Sequence, residues 1–159
     1  MLFPVEISAF SIDSATNAPL VVLREKSGGR TISISVGAVE ASAIAIKTLN
    51  VATDTPLTVD LISTAVKALG GTIDKIVFYD VVDSVLRARM HIHSSTGVIL
   101  LDLRPGDALM LCVRSAVALF IDETVFEKSA GENSLSDRDK LRQHISQMDV
   151  LDFGRYYVE

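Results

Sequence analysis

From Thr31 to Val36 apolar and polar residues alternate, with Ile32, Ile34 and Val36 set against Thr31, Ser33 and Ser35. That is the two-residue period of a half-buried strand, and Gly37 ends it. Residues 5–12 and 20–24 are two further extended runs, separated by a turn-rich stretch at 13–19. The segment 25–30 contains Gly28-Gly29 and predicts a hairpin turn, since both glycines tolerate positive φ. The period then changes. Residues 38–49 predict a helix rich in Ala and Ile with Glu40 in its first turn. Thr58 is the expected N-cap of a second helix, with Asp60 in the first turn, where the helix dipole favours an acid. Leu61, Ile62, Ala65, Val66 and Leu69 share one face of that helix, and Gly70-Gly71 supply its stop.

The next part of the chain returns to strands. Residues 72–82, 85–93 and 98–103 are extended, and the connections at 83–84 and 94–97 are short enough for antiparallel hairpins. The apolar run 98–101 reads as a buried strand. Residues 108–113 predict a buried helix with Pro105 in its first turn, 117–121 a strand, and Asp122 the cap of a short helix ending near Gly131. A hydrophilic break at 132–137 leads into a polar helix over 136–147, with Leu141, Ile145 and Met148 as a narrow apolar stripe. An aromatic cluster follows at 151–157. This order predicts an α+β fold: a mixed, mostly antiparallel sheet with helices packed on one side, plus a C-terminal helical tail. The expected division is a domain over 1–132 and a tail over 133–159.

Composition narrows the class. The chain has 159 residues, 48% of them hydrophobic, with a mean hydropathy of +0.36. No apolar run approaches the roughly 18 to 20 residues that span a bilayer, so no membrane is expected as a partner. The first ten residues carry Glu6 and no basic segment, and are not read as a signal peptide. The surplus of apolar residues predicts a homo-oligomer, a dimer or trimer. The single cysteine, Cys112, lies in an apolar stretch and reads as an inert core residue, which fits a cytoplasmic setting. Net charge is −5, with no basic tail or Lys/Arg cluster. An acidic protein can still act on phosphodiesters where bound metal ions supply positive charge.

One segment concentrates charge between apolar elements. Asp102-Leu103-Arg104-Pro105-Gly106-Asp107-Ala108 places an Arg and two carboxylates where a strand ends and a helix begins. Backbone N–H groups are unpaired at such a helix start, so polar chemistry collects there. This segment resembles the "D-A-R-P-S-D-A-I-A" segment of the bifunctional nuclease family. Val36-Gly37-Ala38-Val39-Glu40-Ala41-Ser42-Ala43-Ile44-Ala45 is similar to that family's "I-G-x-x-E-A-x-A-I-A", and Pro56-Leu57-Thr58-Val59-Asp60-Leu61 to its "R-P-L-T-H-D-L-L". The three segments occur in family order, and the match covers about residues 21–131. The resemblance implies a compact α+β domain that self-associates, with DNA or RNA as substrate. Three positions depart from the pattern: Thr55 replaces the family's Arg, Val59 its His and Gly106 its Ser. If that His is a base or ligand, this chain has lost it; if it caps or packs, Val59 is harmless.

Within these segments the candidate metal ligands are Glu40, Asp60, Asp102 and Asp107, and the candidate catalytic residues are Asp102, Arg104 and Asp107. Two or three carboxylates suffice for Mg2+ or Mn2+, which would activate water, while Arg104 clamps phosphate. Each has a structural alternative. Glu40, Asp60 and Asp107 sit in first helical turns, where acids are favoured by the dipole alone, and Arg104 has Asp102 and Asp107 within reach as ion-pair partners. His91 and His93, two apart on a strand beside Arg87 and Arg89, read as the solvated side of a sheet or a small anion-binding strip. Two functions follow: a metal-dependent nuclease, or a non-enzymatic homo-oligomeric module that binds a protein or small anion.

Overall fold

The computed structural model describes residues 1–132. Its elements in chain order are β1 (Leu2–Ile12), β2 (Pro19–Glu25), β3 (Thr31–Ser35), α1 (Ala38–Thr48), α2 (Thr58–Ala68), β4 (Thr72–Val82), β5 (Val85–Ser94), β6 (Gly97–Leu103), α3 (Pro105–Ser115), β7 (Ala118–Asp122) and α4 (Glu123–Glu132). The polar helix and aromatic cluster expected beyond residue 132 lie outside the described residues.

The strands form one seven-stranded sheet in the order β3-β2-β1-β7-β4-β5-β6. Neighbours are antiparallel except β7, which runs parallel to β4 from the pair of Ala118 with Lys75 to that of Ile121 with Phe78. The fold is therefore α+β with a mixed, mostly antiparallel sheet. β7 joins two antiparallel halves, since it pairs with β1 on its other side. The β4–β5 hairpin turns on Asp83 and Ser84, both at positive φ, as a two-residue turn that follows the strand twist requires. The β2–β3 hairpin forms where expected. Its glycines do not take positive φ; instead the Glu25 carboxylate folds over the turn to accept bonds from Ser27 Oγ and Arg30 Nε. A Cβ on Gly28 would collide with that carboxylate.

One core lies between the sheet and the helices. Val21, Leu23, Ile76, Phe78, Met90 and Ile121 meet Ala41 and Ile44 of α1, Val59 of α2, Leu109 and Leu111 of α3, and Val125 and Phe126 of α4. The small residues of α1 allow it to lie close against α3. Arg30 caps the far end of this core, with its guanidinium 4.1 Å from the Phe3 ring centroid and 4.3 Å from that of Phe126.

Two elements differ from the sequence reading. α2 begins at Thr58 with Leu57 as N-cap, and the Leu57 N–H donates to Asp60 Oδ2 at 2.9 Å. The helix is also rotated. Val59 and Ser63 are its buried residues, whereas Leu61, Ile62 and Leu69 of the expected core face are exposed. Its stop holds: Gly71 N–H bonds to the Val66 carbonyl and Gly70 adopts φ +78°. The second difference is β6. Expected to be buried, it is an edge strand with Val98, Ile99, Leu100 and Leu101 all exposed.

Candidate functional site

α1 and α3 begin side by side, and their first turns bring three charged motif residues together. Glu40 lies in the first turn of α1, Asp107 in the first turn of α3, and Arg104 is the N-cap of α3, followed by Pro105 at the start of the helix. Pro105 fixes φ and lacks the N–H that would go unpaired there, so the local sequence sets where α3 starts. The Arg104 side chain turns back over that start. Its Nε and Nη2 donate to the two oxygens of Asp107 at 2.8 and 3.0 Å, and Nη2 lies 3.5 Å from Glu40 Oε1.

Glu40 is held against backbone. A Cβ added at Gly106 would meet Glu40 Cγ at 2.8 Å, and one added at Gly37 would meet Glu40 Oε2 at 2.5 Å. The carboxylate thus lies in a notch between two glycines and is only 13% exposed, while Arg104 is 75% exposed. Gly106, the departure from the family's Ser, lets the Glu40 side chain lie against the start of α3. The carboxylate of Asp107 raises the Arg104 pKa above its ordinary value, and Glu40 adds to the effect. The arrangement is an accessible guanidinium shared by two carboxylates from two helices, each in a first turn where the dipole favours negative charge.

The other two candidate carboxylates lie elsewhere. Asp60 receives Arg114 Nε and Nη2, both at 2.8 Å, and Arg114 Nη1 also donates to the Ala43 carbonyl at 3.4 Å. This pair ties α1, α2 and α3 together. Arg114 holds the Asp60 carboxyl below the usual carboxylate range. Arg114 escaped the reading of the sequence, yet its signal was there: one arginine inside an otherwise apolar stretch needs a partner. Asp102 faces the sheet, accepting Arg89 Nε at 2.6 Å from its register partner on β5. The same guanidinium sits 4.3 Å from the Tyr79 ring centroid, and it holds the Asp102 carboxyl low.

Among the described residues, no group of three or more His, Cys, Asp and Glu is arranged to hold a metal ion. Glu40 and Asp107 are the two carboxylates that Arg104 joins. His93 Nε2 lies 3.6 Å from Asp74, and His91 is held below its usual pKa chiefly by burial. Burial pushes the Cys112 thiol up to about 12. No helix of the described residues is long and apolar enough to cross a membrane.

The described residues form a single-sheet α+β domain with an arginine-bridged carboxylate pair at adjoining helix starts. The model of the bifunctional nuclease domain matches residues 21–134, and the chain belongs to that family. It is also similar to two uncharacterized proteins of Mycobacterium tuberculosis, from two strains. Each is 28% identical over 125 residues, which cover 79% of this chain and 74% of the relative.

Proposed function

We propose that this protein hydrolyses DNA or RNA phosphodiesters at the cluster of Glu40, Arg104 and Asp107, assisted by Mg2+ or Mn2+. The observation that carries this reading is the exposed Arg104, shared by carboxylates from two separate family segments. The guanidinium fork matches a phosphate bidentately, as it now matches Asp107. A phosphate drawn onto Arg104 competes with Asp107 and releases its oxygens. Magnesium takes one or two protein carboxylates and keeps several waters, so Glu40 and Asp107 are a sufficient donor pair. Held there by Glu40 and Asp107, such an ion would supply an activated water and offset charge on the phosphoryl oxygens. Glu40, packed in its glycine notch, keeps one carboxylate fixed while Arg104 and Asp107 exchange partners. Asp60 and Asp102, engaged by Arg114 and Arg89, serve in this reading to hold the helices and the sheet edge.

The test is cleavage of single-stranded DNA and of RNA by the purified 159-residue chain, with Mg2+ or Mn2+ and with chelator. The expected result is metal-dependent cleavage that the chelator stops. Arg104→Ala should lower the rate by about a hundredfold, the scale of losing one charge-stabilising donor. Absence of cleavage above a mock purification, or cleavage unchanged in Arg104→Ala, refutes the proposal.

A further inference from the structure

In the half of the sheet made by β7, β4, β5 and β6, the helices cover one face. Ile76, Phe78, Ala88, Met90 and Ile92 point into the core on that side. The alternate residues of β5, which are Arg87, Arg89, His91 and His93, therefore share the other face. They follow one another at about 6.7 Å, twice the rise of a strand. Register sets Lys75 of β4 beside His91, and Phe120 of β7 beside Val77, which is itself the partner of Arg89. On β6 the partners of His91 and His93 are Leu100 and Val98, both exposed.

This face differs in charge from the chain as a whole. The net charge is −5, yet here Lys75, Arg87, Arg89 and two histidines meet the carboxylates of Asp74 and Asp102. Asp80, the register partner of Arg87, is taken by Lys128. Arg87 is exposed and makes no ion pair among the described residues. His91 is held below its usual pKa by burial first, and Lys75, Arg89 and His93 press it the same way against Asp74. Two of the cations are laid on rings. The Arg89 guanidinium lies 4.3 Å from the Tyr79 centroid and Nη2 donates to the Tyr79 hydroxyl at 3.3 Å, while Lys75 Nζ lies 5.8 Å from the Phe120 centroid. Cations interleaved with rings and apolar side chains suit a ligand that carries both anionic groups and flat, stackable ones. The row also leads to the helix starts. Leu103 pairs with Ala88, so the chain leaves β6 for Arg104 at the level of Arg87.

We propose that this open sheet face binds a single-stranded nucleic acid, its phosphates on Lys75, Arg87 and Arg89 and its bases against Tyr79, Phe120 and Leu100. The inference rests on the reading that nucleic acid is the substrate, and it adds how the strand is held on its way to Arg104. A phosphate at Arg89 takes the place of Asp102, whose carboxylate is 62% exposed and free to swing into water. The contacts are to backbone and to base faces, so binding is tolerant of sequence and sensitive to salt.

Fluorescence anisotropy of a labelled oligothymidine of about twelve nucleotides, within the site sizes of such surfaces, tests this with the 159-residue chain. Chelator is present throughout, so binding is read apart from cleavage. Lys75→Gln combined with Arg87→Gln should raise Kd at least tenfold and reduce the slope of log K against log salt by about 1.4, or roughly 0.7 for each lost contact. Arg87→Glu alone, at an exposed position, should weaken binding as much and keeps the test open if the double variant fails to fold. Lys67→Gln, exposed on α2, should leave Kd unchanged. No binding by the wild type at about 100 µM, the weak end of sequence-independent affinities, overturns the proposal. So does a Kd unchanged in both strip variants, or polyglutamate competing as well as the unlabelled oligonucleotide, which would mark a protein-binding face. Binding through the strip without any cleavage upholds this inference and defeats the hydrolytic reading. Cleavage by a chain whose strip variants bind as wild type does the reverse.

Discussion

Replacing Asp60 by Asn removes the charge that faces Arg114 and should destabilise the domain without touching the proposed chemistry. Arg114 is 8% exposed and Asp60 26%. The substitution therefore strands a guanidinium that water reaches only in small part. Removing one partner of a buried ion pair typically costs 3 to 5 kcal/mol. Partial exposure of Asp60 puts this case at the lower end, about 3 kcal/mol. For a chain of this size that lowers the melting temperature by about 9 °C. The bond from Leu57 N–H to Asp60 Oδ2 survives if the Asn oxygen takes its place, so the loss reports the charge rather than the helix cap. Thermal unfolding followed by circular dichroism measures the shift. A second variant, Asp60→Asn with Arg114→Met, should recover part of it, because the stranded charge is gone. A melting point within about 2 °C of wild type for Asp60→Asn would refute the argument. So would a double variant less stable than the single one.

Three further outcomes follow from the same geometry. Gly106→Ala should destabilise by about 1 to 3 kcal/mol, the range for overpacking, because its Cβ would meet Glu40 Cγ at 2.8 Å; denaturant unfolding checks it, and an unchanged midpoint would contradict the close approach. Asp60, Asp80 and Asp102 are held below the ordinary carboxyl range by Arg114, Lys128 and Arg89 respectively. Their stabilisation is complete above the unfolded value near pH 3.9 and is lost as pH falls through the lower folded values. The acid limb of an unfolding curve should therefore flatten in Asp60→Asn, and an identical limb would count against the pair. Cys112, pushed up to about 12, should resist a thiol reagent at pH 8 until the protein unfolds; rapid labelling of the native state would show that the thiol is accessible.

The elements were largely legible because their signals are local. Alternation marked β3, the Gly70-Gly71 stop ended α2, and Asp83-Ser84 closed a hairpin. The motif residues Glu40, Arg104 and Asp107 could be placed at helix starts from the chain alone. Long-range features were not legible. The pairing of Asp60 with Arg114 spans 54 residues, and nothing near either residue names the other. The parallel contact of β7 with β4 likewise joins residues far apart in the chain, such as Lys75 and Ala118. The periodicity of α2 showed that an apolar face exists but not which way it points. The apolar run of β6 carried the pattern of an interior strand, and its place at the edge follows from the sheet order. The separation of Asp102 from Asp107 has the same origin. Asp102 still belongs to the strand and finds Arg89 across the ladder, whereas Asp107 belongs to the helix and finds Arg104.

In the proposed function Asp107 and Glu40, bridged by Arg104, form the phosphodiester-cleaving site, while Asp60 holds the helices. The most direct test is the single-turnover cleavage rate of Asp107→Asn, measured beside wild type and Asp60→Asn at a temperature where all three are folded. The Asp107 pair is solvent-exposed through Arg104, so its loss should change stability little. The predicted result is a rate at least a hundredfold below wild type for Asp107→Asn with nearly unchanged melting, and near-wild-type cleavage for Asp60→Asn. Asp107→Asn cleaving at the wild-type rate would contradict the account.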